Sequence, residues 1–318
     1  MANKKNIIIF SVLLIALAAS VLFSIFSGLS SNADAWQIIK QIRFPRVLAA
    51  VITGAALSSA GCVFQGILKN PLAEPFTLGV SGGAAFGASA GFVFGFAALG
   101  WIFIPLFAFL GALISISAVY FLSARKKFNS NSMILSGVII SYIFSASVML
   151  IYSFSSAQQI QGAFMWFMGS FSNFDERLLP FVSIVAIAGT LILSMSGNTV
   201  NAISLGGEKS KTIGVNTERT IKILFLTASF ITAAVVSICG IIGFVGLMIP
   251  HIMRKIVGTN HVALIPASAL LGAAFLPACD ALARMLFSPI IIPVGVITSI
   301  AGGVFFIFLF FRSGERND

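Results

Sequence analysis

The chain carries ten apolar stretches, near 7–26, 47–68, 77–98, 101–122, 133–154, 179–196, 221–241, 247–257, 263–287 and 293–311. A helix needs about 20 apolar residues to cross the hydrocarbon of a bilayer. Lipid offers no partner to a bare N–H or C=O, so stretches of this kind fold as helices that satisfy their own backbone. The reading is an all-α polytopic membrane protein of about ten transmembrane helices, with residues 1–318 forming one transmembrane domain. The eighth stretch is too short to span alone as a straight helix. Lys4 and Lys5 before the first stretch imitate a signal peptide, but no small-residue cleavage pattern follows, so it is kept as a span.

Charge then orients the spans. With the N-terminus in the cytoplasm, fourteen of the nineteen Lys and Arg residues fall on the cytoplasmic side, and Lys40, Arg43, Arg46, Arg177 and Arg284 fall outside. Basic residues concentrate on cytoplasmic loops, which predicts both termini inside and accounts for the net charge of +10 without any nucleic acid. The ends are called inner and outer below on this prediction. Cys62, Cys239 and Cys279 lie in or beside apolar stretches at wide spacing, as small packing residues do, and form neither a disulfide framework nor a zinc motif.

A displacement of 179 residues superposes Ile52 on Ile231, Thr53 on Thr232, Ala55 on Ala234, Ser58 on Ser237, Gly61 on Gly240, Leu68 on Leu247, Pro71 on Pro250 and Gly79 on Gly258. The second and seventh spans run in opposite directions, so the copies form an inverted-topology internal repeat, an arrangement that places a path between the halves. Both copies break. Pro71 and Pro75 remove donors around 70–74, and Gly240, Gly243 and Gly246 weaken the helix before Pro250. Irregular backbone at membrane depth survives where protein buries it or a wet cavity borders it, so each break is a candidate gate or path lining, with an interfacial turn as the alternative. Gly79, Gly83, Gly87, Gly91 and Gly95 recur every fourth residue and predict a tight helix crossing.

Three motifs point to chemistry and fail. Gly79-Val80-Ser81-Gly82-Gly83 imitates a serine-nucleophile turn, yet only His251 and His261 are available as a base. Gly206-Gly207-Glu208-Lys209-Ser210 imitates a phosphate loop, with Glu208 misplaced and no strand before it. An ion-driven carrier needs intramembrane acids; only Asp280 fits, and Arg284 one turn later is its expected ion-pair partner. An external energy source is the better reading, with a stand-alone secondary carrier or channel as the rival class. The polar stretch 198–219 is read as a surface helix that docks on a soluble partner, a merely solvated loop being its alternative.

Taken together, Arg43-Phe44-Pro45-Arg46, Gly54-Ala55-Ala56-Leu57, Asn70-Pro71-Leu72-Ala73-Glu74-Pro75, Leu78-Gly79-Val80-Ser81, Gly243-Phe244-Val245-Gly246-Leu247-Met248-Ile249-Pro250-His251-Ile252-Met253-Arg254 and Pro293-Val294-Gly295 resemble the FecCD-type permeases of ABC importers for iron-siderophores, haem and cobalamin. The resemblance covers nearly the whole chain. It implies a permease subunit in the cell (inner) membrane, paired with a second permease subunit as homodimer or heterodimer. Two cytoplasmic ATPase subunits would supply the energy, and an external binding protein would deliver cargo. It implies no catalytic residue, no metal site and no cofactor bound by this chain. Arg43, Arg46 and Arg284 would meet acidic residues on the two lobes of the binding protein. Lipid-phosphate contact is their alternative role. Asn70 and Leu72 match a cytoplasmic gate, and Asn129 and Ser130 fall near a second. Leu205, Gly206, Gly207, Glu208, Lys209, Ser210, Lys211, Gly214 and Val215 match the segment that couples to the ATPase. An iron-siderophore complex is the expected cargo, with haem and cobalamin as alternatives.

Overall fold

A computed structural model describes residues 2–28, 35–172, 174–205, 216–286 and 290–314. Among them are twelve α-helices of eight residues or more and no strand: α1 (Ala2–Phe26), α2 (Phe44–Leu68), α3 (Val80–Val93), α4 (Phe103–Ala124), α5 (Ser130–Ser153), α6 (Ala157–Phe167), α7 (Leu179–Met195), α8 (Gly197–Ser204), α9 (Thr217–Cys239), α10 (Val245–Val257), α11 (His261–Met285) and α12 (Val294–Gly314). Eight are long and apolar enough to cross a membrane. Two shorter helices, the apolar α3 of 14 residues and α10 of 13 residues with Arg254 and Lys255 in its last turn, stand where the sequence predicts the other two spans. At 1.5 Å per residue each is only about 20 Å long, short of a hydrocarbon core of about 30 Å.

What precedes each short helix explains its length. Segment 69–79 runs back from the inner end of α2, and at its tip the Gly79 carbonyl accepts a 2.7 Å hydrogen bond from Ser115 Oγ, halfway along α4. Helix α3 therefore starts at mid-depth and climbs outward. Residues 240–244 do the reverse: α9 ends at Cys239, and α10 begins at mid-depth beside the middle of α2 and descends to Arg254 and Lys255. The residues before α3 and α10, Gly79 (φ +91°) and Phe244 (φ +67°), are both left-handed. Helix lengths repeat accordingly, as 25, 14, 22 and 24 residues from α2 to α5 and 23, 13, 25 and 21 from α9 to α12. The repeat is thus in the fold, but the constant 179-residue displacement is not. It carries Pro71 of the irregular segment onto Pro250 inside α10, and no corresponding pair of helix starts is 179 residues apart. Unequal connections absorb the difference.

Helix α2 is the mast of the structure, buried over most of its circumference, as a helix that is apolar all round must be. Its small residues let neighbours approach to backbone contact. A Cβ on Gly54 would collide with the Gly272 carbonyl oxygen of α11, and one on Gly61 with the Gly246 carbonyl oxygen of α10. The glycine row of α3 behaves similarly at Gly83 and Gly87, which lie against the Gly111 and Phe107 carbonyls of α4. Gly79 and Gly95 sit outside the crossing, at the ends of the helix, with positive φ. That is why the predicted span 77–98 contracts to Val80–Val93.

Because the crossings are backbone on backbone, a methyl group cannot be absorbed by side-chain rearrangement. Gly61→Ala and Gly54→Ala are each expected to lower stability by about 1–3 kcal/mol, seen as a fall in Tm of the purified chain in detergent. An unchanged Tm at both sites would contradict the packing.

Candidate functional site

The outer ends of α1, α2 and α11 meet in a cluster of arginines. Pro45, which has no N–H to give its own helix, stands just after a π turn (Ile39–Arg43), and Arg43 and Arg46 flank it. Arg46 is buried and grips Asp280 of α11 with two bonds, Nε donating to Oδ2 at 2.8 Å and Nη2 to Oδ1 at 2.7 Å. Arg284 lies one turn along α11, with Nε 3.3 Å from Asp280 Oδ2. Its Nη2 donates to the carbonyl and hydroxyl of Ser24 at 2.7 and 3.0 Å. Arg43 donates to the carbonyls of Ile25, Ser27 and Gly28. Cations at the carboxyl end of a helix meet its unsatisfied carbonyls and the negative end of its dipole. Three guanidiniums therefore face one carboxylate and the end of α1, leaving the cluster net positive.

Asp280 does pair with Arg284, as expected, but its bidentate partner is Arg46, 234 residues away in sequence and beyond the reach of spacing arguments. The three arginines are brought together; Arg46 is 7% exposed, and Arg43 and Arg284 are half-buried.

At the inner end, each predicted gate residue is engaged within its own turn. Asn70 Oδ1 accepts the Leu72 N–H at 2.9 Å, leaving Leu72 exposed, and Asn129 Oδ1 accepts the Asn131 N–H at 3.0 Å to cap α5 ahead of Ser130. Among the described residues no hydrogen bond joins the two turns. Glu74, between Asn70 and Thr77, has a buried Oε2 with no partner among the described residues. Next to this segment, Arg254 donates to Gln65 Oε1 at 2.8 Å, and Gln65 Nε2 reaches the Gly246 carbonyl at 3.3 Å. Sequence reading missed this tie between α2 and α10; Gln65 in an otherwise apolar run was the available signal. Leu205 is exposed at the end of α8. Gly206, Gly207, Glu208, Lys209, Ser210, Lys211, Gly214 and Val215 lie outside the described residues.

The serine motif finds no base. Ser81 Oγ faces the Phe76 carbonyl at 3.5 Å, His251 packs on Phe305 and Phe306, and His261 bonds Asn201. The three cysteines are free and buried. Among the described residues, no group of three or more His, Cys, Asp and Glu side chains is placed to hold a metal ion.

Two inverted half-helices inside a bundle of spans define a multi-pass membrane protein with broken helices at mid-depth. The chain belongs to the FecCD transport family, which matches residues 7–312. It is similar to the hemin transport system permease protein HmuU of Yersinia pestis, at 34% identity over 94% of this chain and 90% of that one. It is also similar to the molybdate import system permease protein MolB of Haemophilus influenzae, at 37% identity over 85% and 80%. A solved metal-chelate type ABC transporter in an inward-facing conformation superposes with a TM-score of 0.87 and 31% identity, covering 98% of this chain and all of the other.

Asp280→Asn leaves Arg46 buried without its counter-charge and is expected to cost about 3–5 kcal/mol, read as lost folded yield or a lower Tm. Arg46→Met with Asp280→Leu should recover most of that loss.

Proposed function

We propose that the chain is the membrane-spanning permease subunit of a binding-protein-dependent ABC importer, one permease domain over residues 1–318, and that its cargo is a bulky metal chelate, an iron-siderophore complex first. The observation that carries this reading is the pair of inverted half-helices, each starting at mid-depth after a left-handed residue, supported by family membership across nearly the whole chain. Such breaks permit a path that opens to one side at a time while the long spans stay intact. Asp280, the one acid placed within a span by the sequence reading, is committed to Arg46 and Arg284. That disfavours a stand-alone ion-driven carrier.

In this reading a second permease subunit completes the path, two cytoplasmic ATPase subunits act through 205–215, and both termini face the cytoplasm of the cell membrane. The external binding protein docks over the arginine cluster. Arg43 and Arg284 are its accessible members, and Arg46 stays with Asp280. The relatives named above carry hemin and molybdate in their names, so kinship does not choose the cargo. Haem and cobalamin remain the alternatives.

Vesicles reconstituted with the chain and its ATPase should accumulate cargo only when ATP and the cognate binding protein are both present. Uptake by the purified chain alone would favour the carrier reading. Arg43→Ala with Arg284→Ala should weaken capture of the loaded binding protein about tenfold, consistent with two charged contacts of about 0.5–1 kcal/mol each, and leave basal ATP hydrolysis unchanged. Affinities of the binding protein for ferric siderophore, haem and cobalamin would identify the cargo.

A further inference from the structure

A cavity of about 500 Å³ opens at the inner end between α2, α8, α10 and α11, walled by Lys69, Asn201, Arg254, Asn260 and His261 among others. Its volume lies in the range of ordinary ligand sites, about 300–1,000 Å³. No Asp or Glu lines it, while two cations do. Lys69 stands just past the end of α2 in the left-handed conformation, exposed and without a partner among the described residues. Arg254 spends one bond, from Nη2, on Gln65, and its remaining donors are unassigned there.

The neutral groups are oriented with equal care. Asn201 Oδ1 accepts both the backbone N–H of His261 at 2.9 Å and its Nδ1 at 2.8 Å, and Asn201 Nδ2 donates to Asn260 Oδ1 at 2.8 Å. The hydrogen of the neutral imidazole is therefore on Nδ1, and Nε2 carries a lone pair. His261 is 6% exposed, and its Nε2 has no partner among the described residues. It faces Gly66 at the cavity wall, where a Cβ would come within 2.8 Å of it. That nitrogen has no surface a water-sized group can reach, so it stays behind the wall. The cavity thus offers an anion two cations and no opposing acid.

We infer that this cavity binds a phosphate ester, the headgroup of an anionic membrane lipid, whose phosphate lies against Lys69 and Arg254. Basic pockets between spans at the cytoplasmic face take such headgroups, and the cavity sits at the end of the spans where headgroups lie. The site is separate from the arginine cluster; it adjoins segment 69–79 through Lys69 and Pro71, and it borders Leu205, where the proposed coupling segment begins.

The test is native mass spectrometry of the full-length chain released from bilayer nanodiscs of phosphatidylglycerol, of phosphatidylmethanol, which has the charge without the hydroxyl, or of phosphatidylcholine. Retention of one phosphatidylglycerol or one phosphatidylmethanol, and of no phosphatidylcholine, is expected. Lys69→Gln, an exposed change that does not threaten folding, and Arg254→Gln should each reduce retention about fivefold, the effect of about one basic contact. Inorganic phosphate that binds the delipidated chain and is lost in Lys69→Gln, with no lipid retained, would keep the phosphate site and reassign its source. Equal retention of all three lipids, or retention unaffected by both variants with no phosphate binding, would overturn the proposal.

Discussion

Everything in this structure depends on how a chain in lipid satisfies backbone groups where its helices stop. Segments 69–79 and 240–244 interrupt the helical ladder at membrane depth, and the missing bonds are replaced one at a time. Ser115 Oγ donates to the Gly79 carbonyl, the Ser170 N–H donates to the Cys239 carbonyl at 2.8 Å, and Gln65 Nε2 donates to the Gly246 carbonyl. Backbone also presses directly on backbone: Gly240 meets the Trp166 carbonyl and Gly295 the Met168 carbonyl, contacts no other residue would permit without rearrangement. The short helix α6, capped by Ser156 and Gln159, holds its last turn against the second break. The two breaks adjoin where Pro75 of the first lies beside Gly246, at the start of α10.

The outer charge cluster obeys the same economy. A buried guanidinium is tolerable because Asp280 meets it with both oxygens, and the carbonyls at the end of α1 absorb the donors left over. One carboxylate and one helix terminus fix three arginines relative to each other across α1, α2 and α11. A surface prepared in this way is net positive and rigid, properties that favour rapid capture of an acidic partner.

The number and placement of spans were legible because bilayer thickness sets a length that any apolar run can be measured against. The broken helices were legible too, from Pro71, Pro75 and the glycines around 240–246. Their register was not. A constant displacement could not detect that segment 69–79 is longer than its counterpart 240–244, so Pro71 was matched to Pro250, a residue inside α10. Charge counting puts Arg43, Arg46 and Arg284 at the outer ends together with Lys40 and Arg177, and only the family resemblance groups the three, whereas the Arg46–Asp280 bond joins residues too distant in sequence for any periodicity to connect. His261 was considered only as a base for Ser81; its unpartnered nitrogen beside a basic cavity is a property of packing alone.

The central claim is that the mid-depth breaks border the transport path. Gly243 lies in the second break with room for a side chain, the nearest atom to its Cβ position being Ser299 Oγ at 3.8 Å. Replace Cys62, Cys239 and Cys279 by alanine, introduce Gly243→Cys, and measure the labelling rate with a membrane-impermeant maleimide in the assembled transporter, with and without ATP. The account predicts labelling from the aqueous phase at a rate that ATP changes. A thiol that stays unreactive in both states, in protein that still transports, would show the break to be sealed within the bundle and would contradict it.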